Sequence, residues 1–244
     1  MVCLHGFLDT WRTWELVLPA LERCHDVLAP TLAGHAGGPP IDGPVTADVL
    51  PDAVEAAMDE AGFERAHLVG NSLGGYVALQ LAARGRAETV VALAPGGGAH
   101  HHEALRIQAE LYDVIQRLAP HADALVATPQ GRRRATSLTA VAWEHIPPDL
   151  LVHQMRGIAA APDARRMTEY AQRNDFRLDA GRIDCPVRMV WGLEDRLLPW
   201  PGAAARYRTD WLPHADWVEL DGVGHCPQLD VPLVTAELIL GFTA

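Results

Sequence analysis

The stretch Leu68-Val69-Gly70-Asn71-Ser72-Leu73-Gly74-Gly75-Tyr76-Val77-Ala78-Leu79 restricts what this chain can fold into more than any other. An apolar run of strand type, Ala66 to Val69, leads into Gly-x-Ser-x-Gly, and a good helix-forming segment continues from Tyr76 to Ala83. The order reads as strand, sharp turn and helix, a nucleophile elbow with Ser72 at its apex. Side chains two residues either side of the serine would collide with the adjoining strand and helix, so Gly70 and Gly74 meet a steric need. Such a turn stands the Ser72 hydroxyl clear of the sheet at a helix N-terminus, where backbone N–H groups and the helix dipole favour a developing negative charge. Three fixed positions alone also fit a buried structural turn, so the surrounding chain has to decide.

Around the elbow the elements alternate. Val2 to Leu4 is a short strand running into His5-Gly6-Phe7-Leu8-Asp9, a strand-to-loop transition with glycine at a point of close approach. A helix is expected from Trp11 and Trp14 through Leu21, a second strand over Asp26 to Pro30, and a helix from Ala47 to Ala61 capped by Thr46 and stopped at Gly62. Between them a Gly/Pro-rich loop, Thr31 to Pro44, carries His35, read as a loop-stabilising hydrogen-bonder. After the elbow, Thr89 to Pro95 is again of strand type. This alternation predicts an α/β fold with a parallel sheet, helices on both faces and ligands at the carboxyl ends of the strands.

The pattern changes after Gly96-Gly97-Gly98. From Glu103 to Asn174 strands disappear, and Leu111, Val114, Ile115 and Leu118 recur at helical spacing, as do Leu151, Met155 and Ile158. We expect a helical cap, residues 100–175, inserted into a core of residues 1–99 and 176–244. His100-His101-His102 at its entry reads as a solvated hinge, because three adjacent histidines cannot all face one ion; Arg132-Arg133-Arg134 reads as a solvated face. The sheet resumes at Pro186 to Gly192 and again at Trp217 to Leu220, and a last helix runs from Val231 to Phe242.

At 244 residues, 49% of them hydrophobic, the chain can bury one large core. Acidic residues outnumber basic ones by 31 to 20, a formal charge of −11, so a nucleic-acid footprint is not expected. No apolar run approaches the roughly 18 residues of a membrane span. The start Met1-Val2-Cys3-Leu4-His5 lacks the features of a secretion signal, which points to a cytoplasmic protein. Cys3, Cys24, Cys185 and Cys226 form no C-x-x-C pair, so neither a metal site nor a disulfide framework is expected, although Cys226 beside His225 could line a site.

Two further turns follow strands. Glu194 and Asp195 come just after Trp191-Gly192, and His225 lies in Asp221-Gly222-Val223-Gly224-His225-Cys226-Pro227. Ser72, an acid and His225 then occur in the order nucleophile, acid, histidine, each at the end of a strand. In that arrangement Ser72 attacks a carbonyl, His225 takes its proton and the acid holds the imidazole tautomer. The N–H groups of Phe7 and Leu73 are placed to hold the oxyanion.

On the segments Leu4-His5-Gly6-Phe7, Gly70-Asn71-Ser72-Leu73-Gly74-Gly75, Trp191-Gly192-Leu193-Glu194-Asp195 and Gly224-His225, the chain resembles the α/β-hydrolase superfamily, in its subgroup with a helical cap. The spacing Gly192-x-x-Asp195-x-x-x-Pro199 resembles the family's acid motif and selects Asp195 over Glu194. The resemblance also implies that Phe7 and Leu73 donate to the oxyanion. Relatives begin with two strands ahead of the His-Gly strand; here Met1 leaves no room for them, so either the chain as given is short at its start or the sheet is six-stranded there.

The expectation is a cofactor-independent serine hydrolase of a small, mainly apolar carboxylic ester or thioester, with a small-molecule substrate and neither a metal nor a nucleic-acid or membrane partner. His5, Asn71, Trp143 and Cys226 are candidate substrate contacts, and Leu111, Tyr112, Ile115 and Met155 are further cap residues that could face a pocket. Asn71 looks like the carbon–carbon bond hydrolases of ring-fission products, which however place tryptophan where Cys226 stands. The His-Gly-Phe-Leu start also looks like the menaquinone-pathway lyases of the same fold. A non-catalytic receptor is the rival of another class, against which three intact triad residues argue. A dinucleotide enzyme lacks its Gly-x-Gly-x-x-Gly fingerprint.

Overall fold

The structure, a computed structural model, describes residues 1–98 and 101–244, with only the backbone of His101 and His102. The triple-histidine run therefore lies outside the described side chains. The chain opens with β1 (Val2–Leu4), a 3-10 turn at Trp11–Trp14, α1 (Leu18–Leu21), α2 (Val49–Glu60), β2 (Ala66–Asn71), α3 (Leu73–Ala83) and β3 (Ala87–Leu93). The inserted helices follow: α4 (His101–Leu118), α5 (Ala122–Val126), α6 (Pro129–Ala135), α7 (Pro148–Ala160) and α8 (Ala164–Arg173). Then come β4 (Val187–Gly192), β5 (Asp216–Leu220), α9 (Pro227–Asp230) and α10 (Pro232–Thr243).

All neighbouring strands pair in parallel, in the spatial order β1-β2-β3-β4-β5. One edge of β1 pairs with β2, Val2 with Leu68 and Leu4 with Gly70. Its other edge takes a single bridge from Leu28, closed by Cys3 N–H to Leu28 O and Leu28 N–H to Met1 O, each 2.9 Å. The chain thus leaves β1 on one side and returns on the other. A crevice opens at the carboxyl ends where two such connections part, and the loop after β1 and the turn after β2 both flank it.

Strands β1 to β4 are largely buried on both faces, β5 at the edge being half-exposed, and alternate residues enter opposite cores. Val2, Leu4, Leu68, Val90, Ala92 and Met189 pack with Val54 and Met58 of α2 and Val77 and Leu81 of α3. Met1, Cys3, Val69, Val91, Leu93 and Val190 pack with Trp14, Leu21 and Ile239. A third cluster, Ile115, Val126, Leu150 and Met155, belongs to the inserted helices and takes in Cys226 and Leu229 from the end of the chain.

Three local expectations change. Asp26 to Pro30 makes one bridge instead of a strand, so the described sheet has five strands and an edge bridge. The helix over Trp11 to Leu21 is two short pieces, broken ahead of Pro19, whose ring occupies the first turn of α1. Thr46 does not cap α2: the helix starts at Val49 with Asp48 as N-cap, and Thr46 Oγ1 accepts only the Asp48 N–H at 3.4 Å. Among the described residues no helix is long and apolar enough to cross a membrane.

The elbow is held by steric contact. A Cβ on Gly70 would lie 2.3 Å from Gly74 O, and one on Gly74 would lie 2.2 Å from Leu4 O. Gly62, at φ +78° with open space around it, has only a conformational reason to be glycine. Urea unfolding should therefore separate the two: Gly62→Ala should cost about 1–2 kcal/mol, whereas Gly74→Ala should cost more than about 4 kcal/mol or abolish the cooperative transition. Equal, small effects would contradict the close backbone contact.

Candidate functional site

Ser72 sits between β2 and α3 at φ 53°, ψ −118°, a conformation that costs a non-glycine residue about 1–3 kcal/mol. Its neighbours over-determine it: Ser72 N–H donates to Leu93 O at 2.9 Å, while Ser72 O accepts from Gly96 N at 2.9 Å and Tyr76 N at 3.1 Å. The loop after β1 comes against it, since a Cβ on Gly6 would lie 3.3 Å from Ser72 Cβ. Phe7 and Leu73 flank the serine on the wall of one cavity. Leu73 opens α3, where N–H groups have no intrahelical acceptor. Among the described residues neither the Phe7 nor the Leu73 N–H has a hydrogen-bond partner.

His225 Nδ1 and Asp195 Oδ2 are 2.7 Å apart, with both side chains buried. The other carboxylate oxygen, Oδ1, accepts from Leu197 N at 2.9 Å and Leu198 N at 2.7 Å, which fixes the plane of the carboxylate. A carboxylate only accepts, so Nδ1 carries the ring proton and Nε2 keeps its lone pair. That Nε2 is buried without a partner among the described residues. Glu194 is exposed, and its N–H donates to Val223 O at 2.9 Å. Asp195 is thus the acid that meets the histidine.

The turn bearing His225 is clamped, although Gly222 and Gly224 flank its approach. Asp230 Oδ2 accepts from Gly224 N at 2.6 Å, and its Oδ1 accepts from Val141 N at 2.6 Å and Ala142 N at 2.7 Å. Cys226 N–H donates to Thr139 O at 2.8 Å. The segment between α6 and α7 is thereby bolted to the histidine turn by one buried carboxylate. Nothing in the spacing around Asp230 singled it out.

The cavity holds about 450 Å³ and is mainly apolar, with Ile41, Val45, Leu50, Met167 and Leu197 among its walls beside Ser72. Its inserted-helix side comes from Ala104, Leu105 and Gln108 of α4 and from Met167, Thr168, Tyr170 and Ala171 of α8. Leu111, Ile115, Trp143 and Met155 are not on that wall; they pack with the inserted helices' own core, and Tyr112 packs against Leu8 and Ala161.

The four sequence candidates for substrate contact are likewise absent from the cavity wall. His5 is fully buried: its Nε2 accepts the Leu32 N–H at 2.8 Å and its Nδ1 donates to Gly6 O at 2.8 Å. Asn71 Nδ2 donates to Leu93 O at 3.1 Å and to His225 O at 2.9 Å, tying the histidine turn to the residue before Ser72. Cys226 is buried, its Sγ 3.4 Å from Asn71 Oδ1, and burial pushes its thiol well up. Trp143 is half-buried beneath Arg132, whose guanidinium lies 5.2 Å from the ring. Arg133 and Arg134 are exposed. No group of His, Cys, Asp or Glu suited to a metal occurs among the described residues.

A profile of the alpha/beta hydrolase family matches residues 1–238. The chain belongs to the alpha/beta hydrolase family, and hydrolysis is the reaction class this membership supports. It is 33% identical over 207 residues to the epoxide hydrolase EphH of Mycobacterium tuberculosis, covering 80% of this chain and 93% of that protein. It is 27% identical over 263 residues to the pimeloyl-[acyl-carrier protein] methyl ester esterase of Aromatoleum aromaticum, covering 98% and 96%. A solved membrane phospholipase A, described as a bacterial virulence factor, has the same fold with a TM-score of 0.78 and 21% identity, covering 99% of this chain and 77% of that one.

His5 and His35 stack edge-on with centroids 4.9 Å apart, supporting the loop after β1 from behind. Burial holds both imidazoles neutral, His5 well below its usual range and His35 down at about 4. The unfolded chain takes up a proton near pH 6.5 that folded His35 refuses until about pH 4. Stability is therefore lost as the pH falls through that window, by roughly 3 kcal/mol at most from this site. Urea midpoints at pH 7 and pH 5 should drop further in the wild type than in His35→Gln; an identical drop in both would contradict a buried neutral imidazole.

Proposed function

We propose that the protein is a serine hydrolase of small, mainly apolar carboxylic esters or thioesters, acting through an acyl-enzyme on Ser72. One observation carries the reading: a histidine with its Nδ1–H on a fully hydrogen-bonded carboxylate and its Nε2 free, on a turn tied to the residue before a strained serine. In this reading Ser72 is the nucleophile, and His225 Nε2 takes its proton and returns it to the leaving alcohol or thiol. Asp195 holds the tautomer and stabilises the imidazolium. The free N–H groups of Phe7 and Leu73 receive the oxyanion. Water then repeats the sequence on the acyl-enzyme.

The division into a core of residues 1–99 and 176–244 and a cap of residues 100–175 is part of the same proposal, with α4 and α8 closing the cavity over the sheet. Aliphatic walls suit an apolar acyl or alcohol group, while Gln80, Gln108, Thr168 and Asn174 supply the few polar contacts. Ester chemistry fits Ser72 better than epoxide opening, the activity in the name of EphH. A serine that opened an epoxide would be left as an ether, which water does not release; an acylated serine is an ester, which it does. The name of the Aromatoleum relative describes an ester hydrolase.

Turnover of a chain-length series of nitrophenyl esters tests the reading. The wild type should prefer one length, and Ser72→Ala should fold normally and lose on the order of 10⁴-fold or more in kcat. Asp195→Asn should lose about 10⁴-fold through the wrong imidazole tautomer. Wild-type turnover by Ser72→Ala would sink the proposal.

A further inference from the structure

Asp9, two residues beyond Phe7, is a carboxylate that the mechanism above leaves unused. It accepts from Thr10 N at 2.8 Å through Oδ1 and from Gln154 Nε2 of α7 at 3.2 Å (Oδ1) and 3.1 Å (Oδ2). Thr10 itself meets α7 through Oγ1, 2.9 Å from His153 Nε2. The loop after β1 is therefore fastened to an inserted helix by two adjacent residues.

The same loop is bonded inward. Thr13 N–H donates to Thr10 O at 3.2 Å, and Thr13 Oγ1 accepts one proton of the Gln228 amide, from Nε2 at 3.2 Å. The second proton of that amide goes to Asn71 Oδ1 at 3.2 Å, and Asn71 Nδ2 donates onward to His225 O at 2.9 Å. Thr13 and Gln228 have no exposure at all, and Asn71 has 1%. The orientation of Gln228 is held even though its Oε1 has no partner among the described residues. Turned over, that oxygen would face Asn71 Oδ1. These bonds run from Thr10, beside Asp9, as far as the residue before Ser72 and the backbone of His225.

We propose that Asp9 is a positioning residue of the hydrolysis: its ionised carboxylate fastens the Phe7 loop to α7, and so holds in place the turn whose Thr13 meets, by way of Gln228 and Asn71, the backbone bearing Ser72 and His225. The inference rests on the serine-hydrolase reading. Burial pushes Asp9 up to about 6, against the pull of its hydrogen bonds, so its charge is lost as the pH falls through about 6. The titratable groups around it are the Cys226 thiol, kept neutral chiefly by burial and also by the charges of Asp9, Asp195 and Asp230, and His153, lowered by burial, with Arg12 and Glu15 beyond it. None of these supplies Asp9 with a counter-charge at hydrogen-bond distance.

The test is the pH profile of kcat and kcat/KM for a nitrophenyl ester in the wild type, Asp9→Asn and Gln154→Ala. If wild-type catalysis needs both Asp9 ionised and His225 neutral, log(kcat/KM) falls on the acid side with a slope approaching about 2. Asp9→Asn, fixed in the uncharged form, should fall with a slope of about 1. Its plateau kcat should be lower on the order of 10²-fold with KM little changed, the signature of misplaced reacting groups. Gln154→Ala should keep the steep slope, lose about 10-fold, and be non-additive with Asp9→Asn. Wild-type kcat and slope in Asp9→Asn overturn the proposal while Ser72 remains essential; wild-type turnover in Ser72→Ala instead overturns the reading beneath it. Should Asp9→Asn show no cooperative unfolding transition, Gln154→Ala decides, and wild-type kcat there overturns the proposal.

Discussion

The contact between Gly74 and the carbonyl of Leu4 is the constraint on which the rest of the structure depends. It draws the start of α3 against the end of β1, and the loop after β1 then has nowhere to go but over Ser72. The strained conformation of the serine follows from the same closeness, and the hydrogen bonds of Ser72 N–H and O to Leu93 and Gly96 offset its cost. Two N–H groups, Phe7 and Leu73, end up beside the serine with no acceptor among the described residues. In the proposed reaction these are the donors that receive the developing charge.

Buried polar groups then fix what the backbone leaves free. His5 and His35 brace the loop after β1 from behind as neutral imidazoles, Asp195 holds the ring of His225, and Asp230 binds the histidine turn to the segment ahead of α7 with three backbone N–H bonds. Each of these carboxylates accepts three hydrogen bonds, as a charge in a poorly solvated place requires. The inserted helices are consequently joined to the sheet by polar bonds to the loop after β1 and the turn bearing His225, in addition to an apolar interface.

The elbow and the two later turns were legible because steric and chemical needs there are local: glycines at fixed offsets, an acid and a histidine just past strands. The resemblance of Gly192-x-x-Asp195-x-x-x-Pro199 to the family's acid motif pointed to Asp195 over Glu194, and the structure puts Asp195 on the histidine and Glu194 in solvent. Where partners are distant in the chain, the residues misled. Leu111, Ile115 and Met155 showed an apolar helical face, but periodicity says that a face is buried, not against what; they face each other, and Met167 and Leu105 face the cavity instead. Asn71 and Cys226 flank catalytic candidates in sequence yet spend their polar atoms on each other and on the histidine turn. Asp26 to Pro30 had strand composition, but only Leu28 finds the edge of β1.

The most direct measurement is covalent titration with a fluorophosphonate ester, which reacts only with a serine that is already activated, followed by peptide mapping by mass spectrometry. The account predicts one adduct per chain, on the peptide containing Ser72, with esterase activity lost in proportion to labelling. Activity lost with Ser72 unmodified, or full labelling of Ser72 with activity retained, would contradict it.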